Sequence, residues 1–166
     1  MRLQVRFEKL DPHTSRLRCR RQPDGKELWM YTPHQAGLPH DLLHYLVETE
    51  LGIEAAMYGQ LLRNEAIHTH PVTGMFVGYD TGNADSVNTE TIAGVLDWVD
   101  WSARPGWDDL RRFCAEAFDY YRLPMPQHPE SRWRALHAAL EAMLERWPQV
   151  PVGGVVELDY PPARPV

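Results

Sequence analysis

"RLQVRFEKL", residues 2–10, alternates strictly: Leu3, Val5 and Phe7 fall on one side, Arg2, Gln4, Arg6 and Glu8 on the other. A period of two belongs to a strand with one buried face. The same pattern returns in "SRLRCRR" (15–21), where Leu17 and Cys19 stand between arginines. "QPDGKELWMYT" (22–32) then supplies a Pro-Asp-Gly turn and a third strand carrying Trp29 and Tyr31. A lone hairpin would be marginal, so these segments predict a three-stranded antiparallel meander.

Beyond residue 32 the period changes. "LPHDLLHYLVETELG" (38–52) reads as a helix, with Pro39 suited to its first position, Asp41 in its first turn and Gly52 as terminator. A second helix is expected over about 54–64, with Met57, Leu61 and Leu62 inward. Residues 68–88 are rich in Gly, Asn, Asp and Thr and read as a long connection, with "MFVGY" (75–79) as a short strand. Three further helical stretches follow: "TETIAGVLDWVDW" (89–101), "WDDLRRFCAEAFDYYRL" (107–123) and "PESRWRALHAALEAMLERW" (129–147). The tryptophans Trp98, Trp101, Trp107, Trp133 and Trp147 recur at helical spacing and read as core. The tail from residue 152 adds one short strand before a loose proline-rich end. The expected fold is therefore α+β: a small N-terminal antiparallel sheet with about five helices. It forms one domain over 1–166, strand-rich to residue 32 and mostly helical over 38–148.

At 166 residues, 43% hydrophobic and 24% charged, the composition is that of a globular domain. No run approaches the roughly 18 apolar residues of a membrane helix, and the N-terminus lacks a signal-peptide core. The expectation is a cytoplasmic protein. Cys19 and Cys114 lie far apart without CxxC spacing, which predicts free thiols and excludes a zinc finger. Residues 1–31 carry a net charge of +4, with eight Lys/Arg against four acids, whereas the remainder carries −10 of the total −6. With a pI near 5.7 and no interleaving of aromatic and basic residues, nucleic acid is disfavoured as a partner. A protein partner or a second copy of the chain remains as the partner class.

The chemistry concentrates in the first helix. At about 100° per residue, His44 lies about 40° from His40 and Glu48 about 80°, where the apolar arc of Leu42, Leu43 and Leu46 meets the acidic side. Histidines at i and i+4 can converge on one zinc ion, and Glu48 extends the row by a turn. The positive end of the helix disfavours an imidazolium at His40, and a metal needs the neutral ring. In "AIHTHP" (66–71), His68 and His70 project to one side of an extended segment. Five of the eight histidines fall between residues 34 and 70, His34 among them. The metal candidates are thus His40, His44, Glu48, His68 and His70, with Asp41 as second-layer acid or general base. Zinc suits imidazole-rich ligation; nickel, or iron with two histidines and one carboxylate, is compatible. The competing reading makes the helix structural, its histidines bonded to carbonyls. The protein is then a non-catalytic interaction module using its basic sheet or a Trp-lined groove.

"HDLLH" (40–44) resembles the zincin motif, His-Glu-x-x-His, with Asp41 one methylene shorter than the zincin glutamate. It is also similar to the His-Asp doublet of HD-domain phosphohydrolases. That resemblance implies an upstream histidine and a downstream aspartate, for which His34 and Asp80 or Asp97 are the candidates. HD-domain enzymes are helical from the start, unlike this strand-rich N-terminus. The longer stretch "LPHDLLHYLVETELGIEAAMYGQLL" (38–62) resembles small bacterial proteins without assigned activity that carry an HDxxH helix. That resemblance implies a bacterial cytosolic origin and no mechanism. No Gly-x-Ser-x-Gly, Walker loop or Rossmann fingerprint is present.

Overall fold

The computed structural model describes residues 1–34 and 37–162; the proline-rich end, expected to be loose, reaches into 163–166, which lie outside the described residues. The three predicted strands form β1 (Arg2–Asp11), β2 (Thr14–Gln22) and β3 (Glu27–Pro33). A late strand, β6 (Val155–Tyr160), returns to the far side of β1, so the sheet order is β3-β2-β1-β6, antiparallel throughout. Register follows the alternation. Val5 pairs with Cys19 and Leu158, Phe7 with Leu17 and Val156. Leu3, Val5, Phe7, Leu17, Cys19 and Val156 are buried, while ion pairs such as Arg6–Glu157 at 2.9 Å decorate the opposite face. A one-residue slip would reverse these faces, so burial of one face fixes the register.

The helices are α1 (His40–Leu51), α2 (Met57–Arg63), α3 (Ala84–Leu96), α4 (Trp107–Tyr120) and α5 (Glu130–Arg146). Between α2 and α3, β4 (His68–Thr69) and β5 (Phe76–Gly78) form a small hairpin. Helix α1 ends as expected at Gly52, whose φ of 71° is left-handed and whose amide bonds to the Glu48 carbonyl. The expected amphipathic boundary on α1 is corrected. Asp41, His44 and Glu48 are all buried, Asp41 against Thr32 of β3, His44 against Glu90 of α3 and Glu48 beneath the first turn of α2. Helix α3 also begins five residues earlier than its apolar spacing suggests. Asn83 accepts a hydrogen bond from the Ser86 amide as its N-cap, and Ser86 and Thr89 are buried polar residues that mask the periodicity.

The tryptophans divide. Trp133 and Trp147 are buried, but Trp98 is 81% exposed, a correction to its reading as core. Helix α3 stops at Leu96, so Trp98 falls beyond the helical register that would have turned it inward. In α4 only Leu110, Cys114 and Phe118 are buried, and Tyr120 and Tyr121 project outward. Both cysteines are buried free thiols.

One buried cation joins sheet to helix. Lys9 donates to the carbonyls of Trp147 and Val150, each at 2.7 Å, and lies over the Trp147 ring at 4.8 Å. Lys9→Met would retain the stem but remove this donor from both carbonyls, at an expected cost of about 1–3 kcal/mol. Urea unfolding with an unchanged m-value checks it; a loss below about 0.5 kcal/mol would show the contact to be dispensable.

Candidate metal centre

The i, i+4 spacing in α1 brings the His40 and His44 rings together, centroids 4.8 Å apart and Nε2 atoms 3.1 Å apart. The third group comes from α3. Glu90 reaches both rings, its Oε2 at 2.8 Å from His44 Nε2 and its Oε1 at 3.5 Å from His40 Nε2. Ligand atoms about 2.0–2.1 Å from a tetrahedral metal stand about 3.3 Å apart, so all three spacings are within reach of one ion. Among the described residues, this is the one group of three His, Cys, Asp or Glu side chains with such convergence. His44 is buried and His40 mostly so, whereas the Glu90 side chain is 60% exposed. The cluster therefore opens to solvent on the Glu90 side.

Asp97, the C-cap residue of α3, supplies an outer layer. Its carboxylate accepts a hydrogen bond from His40 Nδ1 and is itself buried. Holding the proton on Nδ1 leaves Nε2 as the free donor, the arrangement that orients a metal-ligating histidine. Glu90 and Asp97 lie seven residues apart, two turns along one face of α3, which is why one helix serves both roles.

The electrostatics are those of an imidazolium, His40, facing two carboxylates. Hydrogen bonding to Asp97 and then Glu90 outweighs burial and pushes the His40 imidazolium up to about 10. The expectation that the helix N-terminus would keep His40 neutral is thereby corrected: two close carboxylates outweigh a half-charge of dipole. Hydrogen bonds from His40 and His44 hold Glu90 well below the usual carboxylate range. Without a metal, a proton on His40 Nε2 occupies the position a divalent cation would take. Asp97 Oδ1, His44 Nδ1 and Thr89 Oγ1, all on α1 and α3, are three of six buried side-chain atoms without hydrogen-bond partners among the described residues. Such atoms are costly, and they concentrate around this pair of helices.

The other candidates lie elsewhere. Asp41 turns inward to Thr32, whose hydroxyl bonds its side chain and accepts from its amide at 3.1 Å; burial pushes its carboxyl up. Glu48 accepts from the Tyr58 amide at 3.0 Å and from Gly59 at 3.3 Å, capping the start of α2; burial pushes it up to about 8 despite those bonds. His68 and His70 are exposed in the β4–β5 hairpin, where His70 Nδ1 accepts from the Val72 and Thr73 amides at 3.2 Å. His34 bonds to Ser15 Oγ at 2.6 Å and to the Pro12 carbonyl. Of the residues that the HD-domain resemblance nominates, Asp97 meets His40, while Asp80 caps the turn before α3. Sequence reasoning missed Glu90. The expected helix over 89–101 already puts Glu90 and Asp97 on one face, but no local signal says that this face packs against α1.

Comparison of the chain with protein-family models, characterised proteins and solved structures finds no match. No helix among the described residues is long and apolar enough to cross a membrane.

Proposed function

We propose that this is a cytosolic metal-binding protein that holds one divalent transition metal, zinc foremost, on His40, His44 and Glu90. The observation that carries the reading is the convergence of His40 Nε2, His44 Nε2 and the Glu90 carboxylate at 2.8 to 3.5 Å. Asp97 acts as the positioning residue for His40. Two neutral imidazoles and one carboxylate leave a divalent centre with a net charge of +1 and room for an exchangeable ligand on its open side. That is the ligation of hydrolytic zinc sites and, equally, of ferrous sites. A bound water there would be acidified and held for attack on a carbonyl or phosphoryl group, so a metal-dependent hydrolase is the favoured activity. Asp41 is bonded to Thr32 on the sheet side of α1, which favours Glu90 or the metal-bound water itself for proton transfer.

A structural reading has one observation in its favour: the pairs His40–Asp97 and His44–Glu90 satisfy each other without an ion. Elemental analysis of tag-free protein separates the two. About one equivalent of metal that survives desalting, and falls to near zero in His44→Ala, supports the proposal. Metal-free protein whose melting is unmoved by added zinc or by chelator would reject it and leave a buried ion-pair network.

A further inference from the structure

Helices α3 and α4 do not close on each other along their whole length. Between them runs a groove of about 870 Å³, with Gly94, Val95, Phe113 and Ala117 among its lining and the exposed rings of Trp98 and Tyr121 at its margin. That volume is in the range of small-molecule sites. Glu90 borders the groove as well as the His40–His44 pair. From Glu90 to Leu96, where α3 ends, is about 9 Å at 1.5 Å per residue, and Trp98 follows two residues later.

Gly94 is the telling residue. It sits in the interior of α3, where glycine is the least favourable residue after proline. Its φ is not left-handed, so the backbone does not require glycine. A Cβ built there meets nothing within 4 Å, so packing does not require it either. What its bare Cα does is leave the groove open midway between Glu90 and Trp98.

The chemistry of the lining narrows the occupant. Among the described residues, Glu90 and Asp100 are the charged side chains of the lining, and no Lys, Arg or His joins them. Asp100 is turned to the amide and hydroxyl of Ser102, at 3.0 and 2.6 Å. Beyond the proposed ion at its Glu90 end, the groove's described lining offers a polyanion such as a nucleotide no further counter-charge. Between these ends the surface is apolar and aromatic, unlike most of the acidic helical body.

We infer that this groove is the ligand channel of the metal centre and receives an elongated small molecule with an apolar or aromatic body and an oxygen-donor head. The inference rests on the proposed metal site: the head ligates the ion on the open Glu90 side, and the body lies over Gly94 toward Trp98 and Tyr121.

Cobalt(II)-loaded protein tests it, because visible absorption reports on ligands that reach the ion. Acetohydroxamate and a phenylalkyl hydroxamate are titrated into the wild type, Gly94→Leu and Gly94→Ala. In the wild type the phenylalkyl probe is expected to bind at least about tenfold more tightly, from burial of its ring. Gly94→Leu fills the groove: acetohydroxamate binding is retained and the preference disappears. Gly94→Ala retains most of the preference and shows that a non-glycine residue leaves the helix and its site intact. Equal binding of the two probes to the wild type, or a preference that survives Gly94→Leu, overturns the inference. Failure of the metal reading looks different: neither the wild type nor the variants take up stoichiometric cobalt, and the channel falls with it.

Discussion

Metal affinity is expected to rise about tenfold per pH unit between pH 7 and pH 9, with release of about one proton per ion bound. The cause is His40. Asp97 and Glu90 push its imidazolium up to about 10, so over this range the metal-free protein carries a proton that the metal must displace. Titration calorimetry in buffers of different ionisation enthalpy measures that proton directly. Affinity independent of pH would remove His40 from the ligand set. The same shift has a consequence for stability. A group whose folded value lies above its unfolded one stabilises fully below the unfolded value, and that contribution is lost as pH rises through the folded value. For His40 the window runs from 6.5 to about 10, and for Glu48, raised by burial, from 4.5 to about 8. Metal-free protein is therefore expected to melt lower at pH 9 than at pH 6, while the protection given by metal grows over the same range.

Gly59→Ala is expected to cost about 3 kcal/mol, at the upper end for an inserted methyl group, because the obstacle is backbone. A Cβ at Gly59 would lie 1.8 Å from the Glu54 carbonyl oxygen. The first turn of α2 must then move, and with it the Tyr58 and Gly59 amides that hold the buried Glu48 carboxyl. Tyr58 also donates its hydroxyl to the Asp41 carbonyl at 2.7 Å, so the shift is transmitted to the start of α1. Urea unfolding of the metal-free protein gives the number. A loss under about 1 kcal/mol would mean that the Glu54 loop yields freely and that Glu48 is not anchored as described.

The sheet was legible because its information is local. Leu3, Val5 and Phe7 alternate, Leu17 and Cys19 answer them across a hairpin, and the buried face follows. The end of α1 was legible in the same way from Gly52, and its start to within one residue, since Pro39 is the N-cap and not the first helical residue. Two of the three candidate ligands, His40 and His44, were readable too, since i, i+4 spacing is a property of one helix. Glu90 was not, because it meets His44 only through the packing of α3 on α1, which no local pattern announces. Glu48 shows the opposite failure. Its wheel position is that of a solvated acid or a ligand, but α2 turns its amide end onto that carboxyl. Trp98 and Tyr121 carry the spacing of core residues. They line the groove because α3 ends before Trp98 and α4 buries only its Leu110, Cys114 and Phe118 row.

The sheet order also bears on how the chain comes to be folded as it is made. Strand β1 pairs with β2 directly after it in sequence, but its other neighbour is β6, with Leu3 opposite Tyr160 and Phe7 opposite Val156. Strand β1 thus precedes its second partner by most of the described residues. Until residues 155–160 leave the ribosome, one side of β1 presents unpaired backbone groups, the kind of edge that invites association between nascent chains. Helices α1 and α3 lie wholly within the intervening sequence, so the histidine–glutamate cluster can assemble before the sheet is complete. Pairing of β1 with β6 is a long-range closure, so completion of the sheet after docking of the helices is the expected order of events.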